Sequence, residues 1–114
     1  MKYRVTYAPE ASQHLLDIYT YIAEAASAEI ALEYVRNLVA FCDSFKSFPQ
    51  RGTRRDDIAP GLRISHFRGR TVIAFAVEDD RVIMAGFFHG GQDYERVLKT
   101  SSLNGHATRI LDKS

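Results

Sequence analysis

Three consecutive segments rich in β-branched and aromatic residues occupy the second half of the chain and predict an antiparallel meander of strands. They span residues 62–67, 70–78 and 82–89, and turn signals at Arg68-Gly69 and Asp79-Asp80 separate them. The second and third segments are apolar at both alternating sets of positions. Such a pattern is typical of strands that are covered on both faces.

The first half of the chain predicts one strand followed by two amphipathic helices. Residues 2–7 alternate between apolar and polar, as an edge or near-edge strand with one wet face does. Two apolar stripes then recur at spacings of three and four, over residues 11–25 and 31–45. Pro9 suits the first turn of the first helix, and Ser27 suits the N-cap of the second. Because the break between the helices is short, they should form an antiparallel hairpin.

These elements together predict an α+β fold. It consists of an N-terminal strand, an antiparallel helix hairpin, a three-stranded antiparallel meander and a C-terminal tail. Residues 1–98 should form the domain, with one or two helical turns over residues 94–99. Residues 53–61 should be a polar connection. Residues 99–114 are expected to be a tail that is mobile or ordered by a partner, because they contain few large apolar residues.

One helix hairpin can cover only one face of so small a sheet, so the other face should expose a sizeable apolar patch. Either of two alternating sets of strand residues could form the uncovered face. One of them is Ile73, Phe75, Val77, Ile83, Ala85 and Phe87. We expect a partner chain to cover the patch with an apolar helix or an added strand. The competing cover is the C-terminal segment of the chain itself, whose larger apolar residues are Val97, Leu98, Leu103, Ile110 and Leu111.

Composition narrows the class of protein. A chain of 114 residues with 46% hydrophobic residues forms one globular domain. The only cysteine, Cys42, lies in the apolar stripe of the second helix and should be buried and inert. No cysteine and histidine cluster has the spacing of a zinc site, so we expect no metal and no cofactor. No signal-peptide core and no membrane-length apolar run is present, which predicts a cytoplasmic protein without a membrane partner.

Positive charge is concentrated in one segment of the chain. The net charge is only +1, yet residues 51–70 contain six arginines and two aspartates. Arginine is suited to bidentate contacts with carboxylate or phosphate. Arg63 lies on the opposite strand face from its apolar neighbours, and Arg68 and Arg70 flank a loop tip. Partner recognition and a solvated loop with internal ion pairs, including one from Arg63 to Asp93, are the two interpretations.

The order of elements and several local signatures resemble the RelE/ParE superfamily of type II toxin–antitoxin toxins, over residues 3 to about 98. The signatures are Tyr7-Ala8-Pro9-Glu10-Ala11, Ile18 to Glu24 with its Tyr-Ile-Ala-Glu, Phe45 with Pro49 and Gly52, Leu62-Arg63, and His89-Gly90-Gly91-Gln92-Asp93. The Tyr-Ile-Ala-Glu element and the terminal His-Gly-x-x-Asp are more similar to the ParE branch than to the RelE branch. Gly91 and Gln92 depart from the basic residues that ParE-like chains carry there, and Phe75 replaces a common tyrosine.

Resemblance to ParE implies a non-enzymatic toxin that inhibits DNA gyrase and acts in plasmid or chromosome stability. It also implies neutralisation by a ParD-like antitoxin in a hetero-oligomeric complex, without direct binding of nucleic acid. We assign no catalytic residue under this interpretation. The residues expected to bind target or antitoxin are Arg63, Arg68, Arg70, Phe75, Phe87, His89 and Asp93.

The alternative within the superfamily is a RelE-like ribosome-dependent mRNA endonuclease. Its reaction needs a group that exchanges protons and a cation that stabilises the developing phosphate charge. His89 and Arg63 would supply these functions, with Tyr94 as a further proton-exchanging group. A hydrogen bond that fixes the Gly90-Gly91 turn explains His89 equally well. His66 is expected at the margin of the core.

Overall fold

Two helices pack on one face of a five-stranded sheet in the structure, a computed structural model that describes residues 3–100. The elements are β1 Arg4–Tyr7, α1 Pro9–Ala25, α2 Ala28–Asp43, a 3₁₀ turn Ser44–Lys46, β2 Thr53–Arg54, β3 Leu62–Phe67, β4 Thr71–Glu78, β5 Arg81–His89 and α3 Tyr94–Thr100. The predicted α+β fold is confirmed, and each meander strand begins and ends within one residue of its predicted bounds. Residues 99 and 100 of the tail predicted over residues 99–114 belong to α3, and residues 101–114 lie outside the described residues.

The ends of the helices follow from local chemistry. Pro9 begins α1 after an extended Ala8, as predicted. Ser27 caps α2, because its side-chain oxygen accepts the backbone N–H of Ile30 at 3.1 Å. The second helix ends at Asp43, where the chain tightens into the 3₁₀ turn. Among residues 3–100 no helix is both long enough and apolar enough to span a membrane.

The strands form one sheet in the order β1-β5-β4-β3-β2. Within it β1 runs parallel to β5 at one edge, as predicted for an edge strand, and the other neighbours are antiparallel. The segment expected to be only a polar connection supplies the two-residue strand β2 at the opposite edge. It also supplies Ile58 and Ala59, which are buried. A two-residue strand is too short to produce a periodic pattern in the sequence.

A β-bulge in β5 changes which residues face the helices. Ala74 pairs with Gly86, but Phe75 pairs with Met84, so Ala85 is the extra residue. The bulge reverses the alternation, and Phe87 therefore shares a face with residues of the opposite parity. The predicted grouping of Phe87 with Ile83 and Ala85 is wrong for this reason. The buried core against α1 and α2 consists of Ala11, Ile18, Leu38, Cys42, Phe45, Phe67, Ile73, Phe75, Val82, Met84 and Phe87.

The predicted exposed patch on the second face of the sheet is wrong, because the chain covers that face itself. A second core cluster contains Ile58, Ala59, Leu62, Ile64, Ala74, Ala85, Phe88 and Leu98, with Val72, Tyr94 and Val97 packed against it. Its cover comes from α3 and from the loop before β3. Val97 and Leu98 thus contribute as the competing prediction proposed, whereas Leu103, Ile110 and Leu111 lie outside the described residues.

Arg55 fastens α3 to the loop that shares this face. Its guanidinium lies 2.6 Å from the Glu95 carboxylate and 2.8 Å from the Asp57 carboxylate, and it donates to the Tyr94 hydroxyl at 3.3 Å. The hydrogen bond from Arg55 holds the pKa of the Asp57 carboxyl at about 2. The ion pairs therefore persist at neutral pH and connect two elements that the sequence separates by about forty residues.

Candidate functional site

A buried hydroxyl joins three elements at one end of the sheet. Thr71 opens β4, pairs in register with His89 at the end of β5, and is fully buried. Its Oγ1 lies 2.6 Å from the Tyr34 hydroxyl of α2 and 2.8 Å from Nδ1 of His89. A hydroxyl can donate one hydrogen bond while it accepts another, so both partners are satisfied. Thr71 thereby fixes the imidazole edge-on to the Tyr34 ring, at 5.4 Å between centroids.

The environment of His89 keeps its imidazole neutral. Burial lowers the pKa of His89, and the positive charge of Arg70 lowers it further. Because Nδ1 is engaged by Thr71, Nε2 is the nitrogen that remains for a partner. The ring can therefore act as a neutral hydrogen-bonding group at physiological pH.

His14 caps an open stretch of sheet edge beside this histidine. Because β1 ends opposite Met84, the later residues of β5 have no strand on that side among the described residues. The backbone N–H of Phe87 instead donates to Nδ1 of His14 at 3.0 Å. Gly86 makes room for the imidazole, since a Cβ there would lie 3.3 Å from the His14 ring.

Gln92 has a structural role at the position where the resembled family carries a basic residue. Its side-chain oxygen accepts the backbone N–H of His89 at 2.9 Å. The turn between them contains Gly90 and Gly91 with φ of +70° and +89°, a conformation that favours glycine. The side chain of Gln92 thus fixes the turn, a role that the sequence analysis considered for the side chain of His89.

A pocket of about 310 Å³ lies between α1 and the open edge of β5. We call it the histidine pocket; its lining residues are His14, Asp17, Ile18, Tyr21, Phe87, His89, Gly90 and Gln92. Burial lowers the pKa of His14, although Asp17 and Glu10 act in the opposite direction. Tyr21 is 61% exposed, and its ring stands 5.8 Å from that of His89. The pocket thus combines neutral imidazoles with an exposed aromatic ring, a combination suited to a partner's side chain.

The histidine pocket has no set of metal ligands. Within residues 3–100 no group of three or more histidine, cysteine, aspartate or glutamate side chains could hold a metal ion. In His14 the acceptor role of Nδ1 toward a backbone N–H places the proton on Nε2, so neither nitrogen is free to coordinate.

Of the three predicted arginines, Arg68 and Arg70 lie at the end of the sheet that carries His89, and Arg63 does not. Arg68 lies at the same end of the sheet, with its guanidinium 4.9 Å from the Phe67 ring centroid, and Arg70 is exposed beside the histidine. Arg63 stands four residues before Phe67 on β3, which places it roughly 13 Å further along the strand. Its Nε donates to the backbone carbonyl of Arg51 at 2.9 Å. His89 and Arg63, the pair proposed for the ribonuclease alternative, therefore belong to different parts of the surface.

Three further predicted site residues have structural positions. Phe75 is 0% exposed and Phe87 is 2% exposed, so both side chains lie in the core under the helices, and Phe87 also lines the histidine pocket. Asp93 does not pair with Arg63. Its carboxylate accepts the backbone N–H of Arg96 at 3.2 Å and so caps the start of α3.

Two other residues differ in outcome. His66 is exposed, so its expected place at the core margin is wrong. Cys42 is fully buried as predicted, and burial raises the pKa of its thiol to about 12.

The sequence analysis missed His14, Tyr34 and Thr71. Of these three residues, Tyr34 was the one that the sequence could have indicated, because it lies next to the apolar stripe of α2.

Comparison with solved structures shows what the fold is similar to. A chain of the chromosomal ParDE toxin–antitoxin system from P. aeruginosa superposes with a TM-score of 0.69 at 18% identity, covering 78% of this chain and 97% of that chain. A chain of the RelBE2 toxin–antitoxin complex from Mycobacterium tuberculosis superposes with a TM-score of 0.59 at 18% identity, covering 81% and 95%. The fold is therefore the one found in these chains of the ParDE and RelBE2 complexes.

The family model described as the ParE toxin of the type II toxin–antitoxin system parDE matches residues 5–94. The chain therefore belongs to the ParE toxin family. A search of curated protein sequences gives no significant match.

Proposed function

We propose that this toxin inhibits DNA gyrase and that a ParD-like antitoxin neutralises it in a hetero-oligomeric complex. The match of residues 5–94 to the ParE toxin family is the observation that carries the proposal. The similarity in fold to chains of two toxin–antitoxin complexes supports an antitoxin as partner.

The end of the sheet around the histidine pocket is the surface that we assign to the target. A non-enzymatic inhibitor needs a surface that fits its target and does not need reacting groups. Arg70 supplies an exposed cation that can contact carboxylate or phosphate. His89 and Tyr21 supply rings with a polar tip, the kind of side chain that is enriched at binding hot spots.

The geometry does not bring together His89 and Arg63, the pair named for the ribonuclease alternative. Cleavage needs the proton-transfer group and the cation within reach of one phosphate. His89 and Arg63 are instead separated by roughly 13 Å along the sheet, and the Arg63 side chain is engaged by a backbone carbonyl. The His89 imidazole also has one nitrogen committed to Thr71.

Paired assays with one preparation of the protein test the proposal. The purified chain is added to a gyrase supercoiling reaction and, separately, to a translating ribosome extract in which mRNA cuts are mapped. We expect loss of supercoiling, accumulation of linear DNA and intact mRNA. His89→Ala and Arg70→Gln should each raise the inhibitory concentration about tenfold. Arg4→Gln, which lies beside the opposite end of β5 from His89, is the matched control and should have no effect.

The opposite pattern would contradict the proposal. Undiminished supercoiling together with codon-phased mRNA cuts that disappear in His89→Ala would identify a ribosome-dependent endonuclease instead.

A further inference from the structure

The sheet wall of the histidine pocket presents a hydrogen-bond acceptor, because its donors are already engaged. Strand alternation directs the backbone N–H and C=O of Phe87 to the same edge of β5, the one that borders the pocket. His14 accepts that N–H, so the carbonyl oxygen alone is left without a partner among residues 3–100. The side chain of Gln92 accepts the next outward N–H, that of His89. A ligand in the pocket therefore meets an unpaired carbonyl oxygen on this wall.

The helix wall of the pocket carries three polar side chains in a row. His14, Asp17 and Tyr21 recur at spacings of three and four, which places them on one face of α1 over roughly 10 Å. Asp17 is exposed, and Oδ1 of its carboxylate accepts a hydrogen bond from Nε2 of Gln13 at 2.9 Å. In the part of the chain that the structure describes, no lysine or arginine forms an ion pair with this carboxylate. Its second oxygen remains for a cation from outside the chain.

The lining of the pocket carries a single formal charge, the negative charge of Asp17. Burial lowers the pKa of His14 and of His89, so both imidazoles are neutral at physiological pH. Asp17 and Glu10 also place a negative potential on His14. Arg70 lies beside His89 but outside the lining, where it can contact a carboxylate or phosphate of the target. The α1 wall of the pocket therefore favours a cation.

The ring of Tyr21 supplies an aromatic face beside this carboxylate. Its side chain is 61% exposed, and the ring lies 5.8 Å from that of His89 with 68° between the two planes. Aromatic faces attract cations, and this chain contains examples in Arg51 and Arg68, whose guanidinium groups lie 4.4 Å and 4.9 Å from phenylalanine ring centroids. Within residues 3–100 no guanidinium lies over Tyr21, so its exposed face is available to a partner.

We propose that the histidine pocket binds one arginine side chain of the target. The guanidinium donates to the Asp17 carboxylate and to the Phe87 carbonyl oxygen, and its flat face lies on the ring of Tyr21. The Nε2–H of His14 donates to a backbone carbonyl of the segment that carries the arginine. The identity of the target rests on the proposed function.

Arginine fits these groups better than other side chains do. Its planar guanidinium has five N–H donors in a fixed fork, so it contacts two acceptors while its face lies on a ring, whereas lysine offers a point charge. An acidic side chain or a phosphate is disfavoured at the same place, because it would lie beside the Asp17 carboxylate. The volume of about 310 Å³ is at the small end of ligand pockets, which suits one side chain.

NMR titration of the full chain with short peptides tests the proposal. The probe is acetyl-Gly-Arg-Gly-amide, and its control carries citrulline, which keeps the length and planarity of the side chain and removes the charge. Two further peptides carry lysine and glutamate at the same position. We expect the arginine peptide to shift the backbone amides of Tyr21, Phe87 and Gln92. It should bind at least about fivefold more tightly than the citrulline peptide, with the lysine peptide between them.

Variants of the helix wall separate the two contacts of the guanidinium. Asp17→Asn keeps the size of the side chain and removes its charge, so the preference for arginine over citrulline should disappear. Tyr21→Leu should weaken binding of the arginine peptide about threefold. Glu33→Gln, at an exposed acid of α2 outside the pocket, is the matched control and should change nothing. Circular dichroism of each variant verifies that the fold is retained.

Three results would overturn the proposal. They are equal affinity for the arginine and citrulline peptides, a preference for arginine that survives in Asp17→Asn, and tighter binding of the glutamate peptide than of the arginine peptide.

Gyrase supercoiling assays with the unmodified chain and with Asp17→Asn separate this proposal from the proposed target. We expect Asp17→Asn to raise the inhibitory concentration about fivefold or more. If both proteins inhibit gyrase equally, the target does not place an arginine in the pocket and this proposal fails alone. If the arginine peptide binds selectively but the unmodified chain does not inhibit gyrase, the pocket still binds a guanidinium and the proposed target fails.

Discussion

Replacing Thr71 by valine removes the hydroxyl that joins Tyr34 to His89 while it keeps the shape of the side chain. Thr71 is fully buried, and its two hydrogen bonds are 2.6 Å and 2.8 Å long. A net contribution of about 1 kcal/mol for each bond sets the scale of the loss. Because Tyr34 and His89 are partly exposed, water can satisfy part of what is lost. We therefore expect the free energy of unfolding to fall by about 1–2 kcal/mol.

Urea titration followed by circular dichroism measures this change. In a domain of this size the midpoint temperature should fall by about 5–10 °C. Thr6→Val on β1 is the matched control, because it makes the same chemical change at a hydroxyl with no hydrogen bond among the described residues. A Thr71→Val variant as stable as the unmodified chain, to within about 0.5 kcal/mol, would refute the reasoning that this hydroxyl organises the end of the sheet.

Three other perturbations have defined outcomes. Gly52→Ala should lower the free energy of unfolding by more than about 2 kcal/mol, because φ is +74° and the new Cβ would meet the Ile64 carbonyl oxygen. Gly69→Ala is the control, since φ is +68° there but the Cβ would enter open space, and it should lower the free energy of unfolding by about 1 kcal/mol. Equal losses of the two variants in denaturant titration would contradict this. The pKa of His14 is lower in the folded chain than its unfolded value of 6.5, so the contribution of His14 to stability is present above pH 6.5 and is lost as the pH falls. The midpoint temperature of unfolding should therefore drop between pH 7.5 and pH 5.5, and it should drop less in His14→Gln. An equal dependence on pH in the two proteins would contradict this. Arg55→Gln should speed hydrogen exchange in α3 and leave exchange in α1 unchanged, and unaltered exchange in α3 would show that the ion pairs do not hold the helix.

The elements of the fold were predictable because their patterns are local. A short stretch of sequence is enough to recognise each of them, namely the apolar stripes of α1 and α2 and the segments rich in β-branched residues in β3, β4 and β5. The face on which strand residues lie was not predictable, because a single bulged residue, Ala85, reverses the alternation in β5. The cover of the second face comes from a loop and from α3, and neither carries a strong pattern of its own.

The candidate site was predictable only in part, for a related reason. His89 was identified from its place at the end of a strand before two glycines. Its partners, Thr71 and Tyr34, come from other elements; Tyr34 lies 37 residues from Thr71, and Thr71 lies 18 residues from His89. Local spacing contains no information about such contacts. The role of His14 likewise depends on the early end of β1, which leaves a backbone N–H of β5 for a side chain to accept.

The arginines show what charge alone can and cannot indicate. The excess of arginine over residues 51–70 indicated a basic surface. It did not distinguish the arginines that aspartates neutralise, such as Arg54 and Arg55, from arginines such as Arg51 and Arg68, which lie over aromatic rings. That distinction depends on the short strand β2 and on the ring contacts at the seam of α2 and β3.

Chromosome breakage in growing cells tests the central claim most directly. The chain is induced in a bacterial host with and without co-expression of its antitoxin, and chromosome integrity, mRNA integrity and colony counts are followed together. The account predicts double-strand breaks and loss of viability with intact mRNA, and all of these effects should disappear when the antitoxin is present. Growth arrest with an unbroken chromosome and codon-phased mRNA cuts would contradict it.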